Sequence, residues 1–125
     1  MGSGLERPEA AARLRLTKSQ LAFGITTVRN PAGLTRENVD LRNRVRRGDL
    51  IGPRIITSGA PIDAPGPNTA VDGAGTPEQA RAAVDGQVAA GVDFIKVYSS
   101  LDSTLIRAVV DQAHKHGVPV VGHLW

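Results

Sequence analysis

The sequence predicts an α/β fold: four parallel strands alternating with helices, and an additional helix at the N-terminal side. Three observations carry this. A helical pattern, a glycine and a short β-branched run recur in that order four times along 125 residues. Aromatic residues make up only 3% of the chain, so the core must be built from Ala, Val, Leu and Ile, the residues that pack between helices and a parallel sheet. Strands separated by helices run parallel, because each crossover returns the chain to the sheet in the same direction. Apolar residues at 41% and charged residues at 22% fit a folded chain of about one small domain.

The elements follow in order. "MGSGLER", residues 1–7, reads as a flexible leader or tag, and residues 8–125 as the folded domain. Pro8 opens "PEAAARLRLTKSQLAF", a helical stretch with proline in the tolerated first turn and Gly24 as its stop. "GITTVRN" then reads as a strand from Gly24 to Asn30. A helix from about Thr35 to Arg47 ends at Gly48, and "GPRIITSG" follows as the second strand. "TPEQ" at Thr76 to Gln79 starts the next helix, with a Thr cap, a first-turn proline and Gln three residues after the cap. That helix closes at Gly91 before "VDFIKVY"; a last one, from about Ser103 to His116, closes at Gly117 before "VPVVGHL". Gly24, Gly91 and Gly117 stand where a left-handed cap is wanted, and His114, Lys115 and His116 complement the negative end of the last helix. The segment Ala60 to Gly75 is a long Pro- and Gly-rich loop after a strand end, either functional or a disordered insertion.

Composition narrows the function classes. The chain has no cysteine, which removes disulfides, thiolate metal sites and cysteine nucleophiles. No run approaches the roughly 18 apolar residues of a membrane span and no apolar signal core is present, so a cytoplasmic setting without membrane contact is expected. The net charge of +3 arises largely from Arg36, Arg42, Arg44, Arg46 and Arg47 on one predicted helix. Aromatic residues do not interleave with them, so they read as a solvated face and not as a nucleic-acid platform.

Parallel α/β folds bind ligands at the carboxyl ends of their strands. Here those ends carry Arg29 and Asn30, Thr57 and Ser58, Lys96 and Tyr98, and His123. Lys96 interrupts an apolar run, and burial there favours its neutral amine. A neutral lysine can form a Schiff base, act as a base, or add carbon dioxide to become a carbamate, an anionic oxygen ligand for metals. Neutral His123 is a nitrogen ligand suited to zinc. The structural alternatives are a lysine paired with a carboxylate and a histidine satisfied within the core.

"GITTVRN", "GPRIITSG", "VDFIKVY" and "HGVPVVGHLW", in this order and spacing, resemble the amidohydrolase superfamily, in its imidazolonepropionase-like and prolidase-like branch. The resemblance covers about Ser19 to Trp125 and implies strands two to five of a (β/α)8 barrel, a partial, half TIM barrel. It implies that Lys96 is the carboxylated lysine bridging two divalent metals, zinc foremost, and that His123 is a metal histidine. No His-x-His pair precedes Gly24, and the family's sixth-strand histidine and eighth-strand aspartate have no counterpart up to Trp125.

The expected function is therefore a metal-dependent hydrolase of amide, cyclic amide, dipeptide or ester bonds on a small-molecule substrate. Lys96 and His123 are its catalytic and metal-binding residues, and Tyr98 and Arg29 orient the substrate. Asp63 or Asp72 would replace the general base. Exposed edges and an open inner face imply a homo-oligomer, the simplest being a two-fold pair of half barrels. The alternatives are a catalytically incomplete barrel fragment that folds and assembles, and a metal-free Schiff-base site on Lys96.

Overall fold

The structure, a computed structural model, describes residues 8–68 and 70–123. The expected leader at residues 1–7 lies outside the described residues, as do Leu124 and Trp125. Elements follow in the order α1 Pro8–Ala22, β1 Thr27–Asn30, α2 Thr35–Arg47, β2 Arg54–Thr57, β3 Ile62–Asp63, β4 Asp72–Gly73, α3 Pro77–Ala90, β5 Ile95–Val97, α4 Ser103–Lys115 and β6 Val120–Gly122. All strand pairings are parallel. No helix among the described residues is long and apolar enough to cross a membrane.

Local chemistry accounts for the helix boundaries. The Thr76 side chain accepts a hydrogen bond from the Gln79 backbone N–H at 3.2 Å, as the cap pattern predicts. Gln79 does not close the reciprocal box on the cap residue; its Oε1 accepts from the Gly75 N–H at 2.8 Å, one residue earlier. Asp102 caps α4 by accepting from the Leu105 N–H at 2.9 Å, a start signal that the sequence reading passed over. Gly91 takes φ 90°, a left-handed conformation in which its N–H reaches the last carbonyls of α3; Gly24 and Gly117 end their helices with the same sign of φ.

The core lies between the sheet and α3 and α4, around Ile62, Val84, Ile95, Val97, Leu105 and Val109. Its small and branched side chains explain why so few aromatics suffice. Helix α2 departs from the solvated face expected of it, because Arg42 is buried.

The reason is a seam in the sheet. The single four-stranded ladder expected from the sequence is divided into a pair, β1-β2, and a second sheet ordered β4-β3-β5-β6. At the junction the Asp93 N–H donates to the Thr57 carbonyl at 2.8 Å. The Asp93 carboxylate accepts from the Thr57 N–H at 2.9 Å and pairs with Arg42 at 2.8 Å. A side-chain carboxylate thus stands where a strand would supply a carbonyl, and the guanidinium from α2 neutralises it. The four expected strands β1, β2, β5 and β6 keep their sequential order across this seam.

The described residues of the long loop include two short strands, β3 and β4. Beyond β2 the chain breaks at Ser58–Pro61 and resumes as β3, where Ile62 lies beside Val97 and its carbonyl accepts from the Tyr98 N–H at 2.9 Å. Buried Gln87 of α3 ties both ends of the loop, donating to the Ala60 carbonyl at 2.7 Å and to Asp72 Oδ2 at 2.6 Å. The exposed stretch from Pro65 to Asn68 is left at the carboxyl end of the strands.

Removing the carboxylate at the seam leaves Arg42 buried and uncompensated. Asp93→Ala should lower stability by about 2–4 kcal/mol in urea denaturation, with Asp93→Asn losing less because its carbonyl still serves the Thr57 N–H. Coupling of Arg42 and Asp93 below about 0.5 kcal/mol in a double-mutant cycle would show that the seam is held elsewhere.

Candidate functional site

Strand β5 positions the central side chain. Ile95 and Val97 join the core beneath the helices, so alternation along the strand turns Lys96 to the opposite face, in register with Val121 of β6. Lys96 is only 6% exposed, and its Nζ lies 3.0 Å from His123 Nδ1. With Lys96 charged, the ammonium donates to an unprotonated Nδ1, which fixes His123 as the Nε2–H tautomer.

Gly122 makes this contact reachable. A Cβ at that position would lie 2.7 Å from Val97 Cγ2, so a larger residue would push β6 away from β5. The exposed Tyr98 packs edge to face against the His123 ring at 4.9 Å between centroids, tilted by 77°. Tyr98 therefore holds the imidazole from one side while the lysine holds it from below.

Arg29 comes from β1 and reaches across β2, placing its guanidinium carbon 6.0 Å from the centroid of the Phe94 ring. Arg29 forms no ion pair among the described residues. Phe94, two residues before Lys96, was not foreseen as part of the site; its signal was shared alternation with the lysine.

Burial pushes the Lys96 ammonium below its ordinary value of 10.5, and the positive charge of Arg29 acts in the same direction. This is the shift towards neutral amine that the strand position predicts. The unfolded chain then binds the lysine proton more tightly than the folded one. Stability contributed by this group should rise with pH between the depressed folded value and 10.5. Urea denaturation at a series of pH values should show the wild-type chain gaining on Lys96→Met across that alkaline window; parallel profiles would contradict the shift.

Of the remaining strand ends, Thr57 and Ser58 are fully buried and turn their hydroxyls to backbone carbonyls, including those of Ser58 and Gly59. They serve the chain break after β2 and are not open to a ligand. Asp72 is held by Gln87, on α3, whereas Asp63 accepts from the Ser100 N–H at 3.0 Å in the loop that follows Tyr98. Of the two aspartates weighed as a general base, only Asp63 is anchored beside β5. The histidine pair expected at the end of α4 is used in part: His116 meets Asp85 of α3 at 2.7 Å, and Gln112 and His116 together hold the Asp85 carboxyl below its ordinary range.

Tested for a metal, Lys96 and His123 bring two nitrogen donors together on one face of the sheet at the carboxyl ends of adjacent strands. Only with the lysine proton lost and their mutual hydrogen bond given up could the two present lone pairs to a metal. Among the described residues no group of three or more His, Cys, Asp or Glu side chains converges as a complete metal site.

Solved structures carry the same backbone. A candidate prolidase from Bifidobacterium longum is 32% identical, with a TM-score of 0.77 over 86% of this chain and 30% of its own. Bottromycin amidohydrolase is 26% identical, with a TM-score of 0.77 over 86% of this chain and 24% of its own. A further amidohydrolase at 21% identity covers 94% of this chain and 37% of its own, with a TM-score of 0.80. No protein-family model and no curated protein matches the chain. The fold is that of a segment of an amidohydrolase-type (β/α)8 barrel, and it resembles prolidase-like and amidohydrolase structures as the strand motifs imply. The chain spans roughly a quarter to two fifths of the length of these structures.

Proposed function

We propose that the chain carries part of the active site of a metal-dependent hydrolase acting on amide, cyclic amide, dipeptide or ester bonds of small molecules. The observation that carries this reading is the buried Lys96 Nζ at 3.0 Å from His123 Nδ1 on the face of the sheet opposite the helices. His123 and Lys96, the latter as a carbamate formed with carbon dioxide, would hold one or two divalent ions, zinc foremost. Such a metal, when bound, polarises the scissile carbonyl and acidifies a water. The protein's own part is to keep Lys96 desolvated so that its amine is available, to orient His123 through the Tyr98 ring, and to offer Arg29 and Tyr98 to the substrate. Asp63 is the carboxylate placed to accept a proton near the end of β5.

Self-association follows from the same architecture. Strands β1 and β6 each have one hydrogen-bonded neighbour among the described residues, which leaves an edge on either side. Pairing these edges between two copies in a parallel sense would close eight strands and place two sets of Lys96 and His123 around one axis. A cytoplasmic setting without a nucleic-acid or membrane partner accords with a small-molecule site.

Zinc titration followed by elemental analysis should show uptake that needs both groups, with Lys96→Ala and His123→Ala each losing at least tenfold in affinity. Amide or ester hydrolysis that survives both chelation and Lys96→Ala would reject the mechanism. The assembly reading has its own measurement: multi-angle light scattering should give a mass above the 13.1 kDa monomer, and a monodisperse monomer with no zinc uptake would leave only a folded barrel segment.

A further inference from the structure

On the helix side of the sheet, α2 and α3 border an open cavity of about 580 Å³. Part of its lining is the face of α3 that carries Ala82, Gly86 and Ala90, and a Cβ added at Gly86 would meet nothing within 4 Å. The charged groups on its rim are of opposite sign. Arg36 comes from the first turn of α2 and Asp72 from β4, and neither forms an ion pair among the described residues, with the other or with any third group. Two charges that border one cavity without meeting leave room for a molecule that carries both.

Each charge has further unsatisfied groups beside it. No side chain caps α2: Leu34 stands at the N-cap, and the first backbone bond of the helix runs from the Asn38 N–H to the Leu34 carbonyl, so the Thr35 and Arg36 N–H groups have no partner among the described residues. Such an end favours an anion. The acid of that turn, Glu37, does not line the cavity. Opposite it, Gln87 is only 2% exposed and spends its amide donors on the Ala60 carbonyl and Asp72 Oδ2. Gln87 Oε1 is buried without a donor among the described residues, and Asp72 Oδ1 accepts no bond from them either. Two free acceptors, one of them ionised, match a cation with several N–H bonds. Gly59 brings the two ends together: a Cβ there would lie 2.5 Å from Thr35 Oγ1 and 2.7 Å from Gln87 Oε1, so the first turn of α2 and the orphaned oxygen face one gap.

We propose that this cavity is a binding site for a free α-amino acid with an aliphatic side chain. The carboxylate is held by the Thr35 and Arg36 N–H groups and the Arg36 guanidinium, the ammonium by Asp72 and Gln87 Oε1, and the side chain lies on Ala82, Gly86 and Ala90. A molecule with one charge alone leaves the opposite charge and its neighbours unmatched. The site uses neither Lys96 nor His123, so it stands whether or not the hydrolase reading holds.

The test is titration of the 125-residue chain with L-leucine, followed by ¹H–¹⁵N spectroscopy, with isocaproate and L-leucinamide as single-charge controls. L-leucine should shift the Thr35 and Arg36 backbone amides and the Gln87 side-chain amide saturably, and each control should bind at least tenfold more weakly. Arg36→Gln and Asp72→Asn should each weaken leucine binding at least fivefold, while Arg46→Gln, elsewhere on α2, stays within twofold. Asp72→Asn keeps an oxygen for the Gln87 amide, so the tie to α3 is retained. Gly86→Leu fills the cavity from an open position and should abolish binding, with circular dichroism as the control for folding; the Arg36 and Asp72 variants decide the matter if it does not fold. Equal binding of leucine and either control, no saturable shift at millimolar leucine, or equal losses in Arg36→Gln and Arg46→Gln would overturn the site. So would leucine binding that survives in a folded Gly86→Leu chain.

Discussion

The contact on which the rest of the structure depends is the one between Arg42, Asp93 and Thr57. Sheets normally continue by backbone pairing, whereas β2 and β5 stand in separate sheets. Asp93 bridges the gap with its own N–H and carboxylate, and Arg42 neutralises the charge from α2. This cluster joins the two sheets and, with Asn38 and Thr35 bonded to Ser58 and Ala60, holds α2 against them. It also sets where Phe94 falls, since Phe94 is the next residue, and through Phe94 the position of Arg29. Structural burial and site geometry therefore share a cause.

The candidate site depends on a second constraint, the burial of an amine. Lysine in the middle of a strand is unfavourable unless paired or neutralised, and Lys96 has no carboxylate partner among the described residues. The surroundings relieve it by lowering its proton affinity and by giving it an imidazole neighbour. A group kept in this condition is chemically available in a way that an exposed lysine is not. Arg29 likewise has no ion pair among the described residues, and its charge adds to the depression of the lysine.

Much of this was legible in the residues. Helix α2 and helix α3 begin and end where glycine and proline punctuation places them, because caps and breakers act over three or four neighbours. Lys96, Tyr98, Arg29 and His123 were selected because they stand at the carboxyl ends of short strands, where parallel sheets bind ligands, and Lys96 and His123 also because of the family resemblance. The seam was not legible. Asp93 reads as an ordinary polar residue at a strand start and Arg42 as one of five arginines on a solvated helix, and only their meeting across 50 intervening positions gives either a role. The ties of the long loop were not legible either: Gln87, a residue with no local signature, holds Ala60 and Asp72 from α3.

The sequence by itself determined the class of fold, the order and direction of its principal strands, the helix boundaries and the set of polar groups at the strand ends. These depend on local rules: the period of side chains, the backbone freedom of glycine and the absence of an N–H in proline. Tertiary structure alone decided which of those polar groups meet. Thr57 and Ser58 turned inward to satisfy carbonyls at a chain break, while Lys96 came within hydrogen-bonding distance of His123, and Arg29 crossed a strand to rest on Phe94. Such contacts join residues far apart in the chain, so they arise from the register of neighbouring strands and the packing of helices behind them, neither of which is written in any single stretch of sequence.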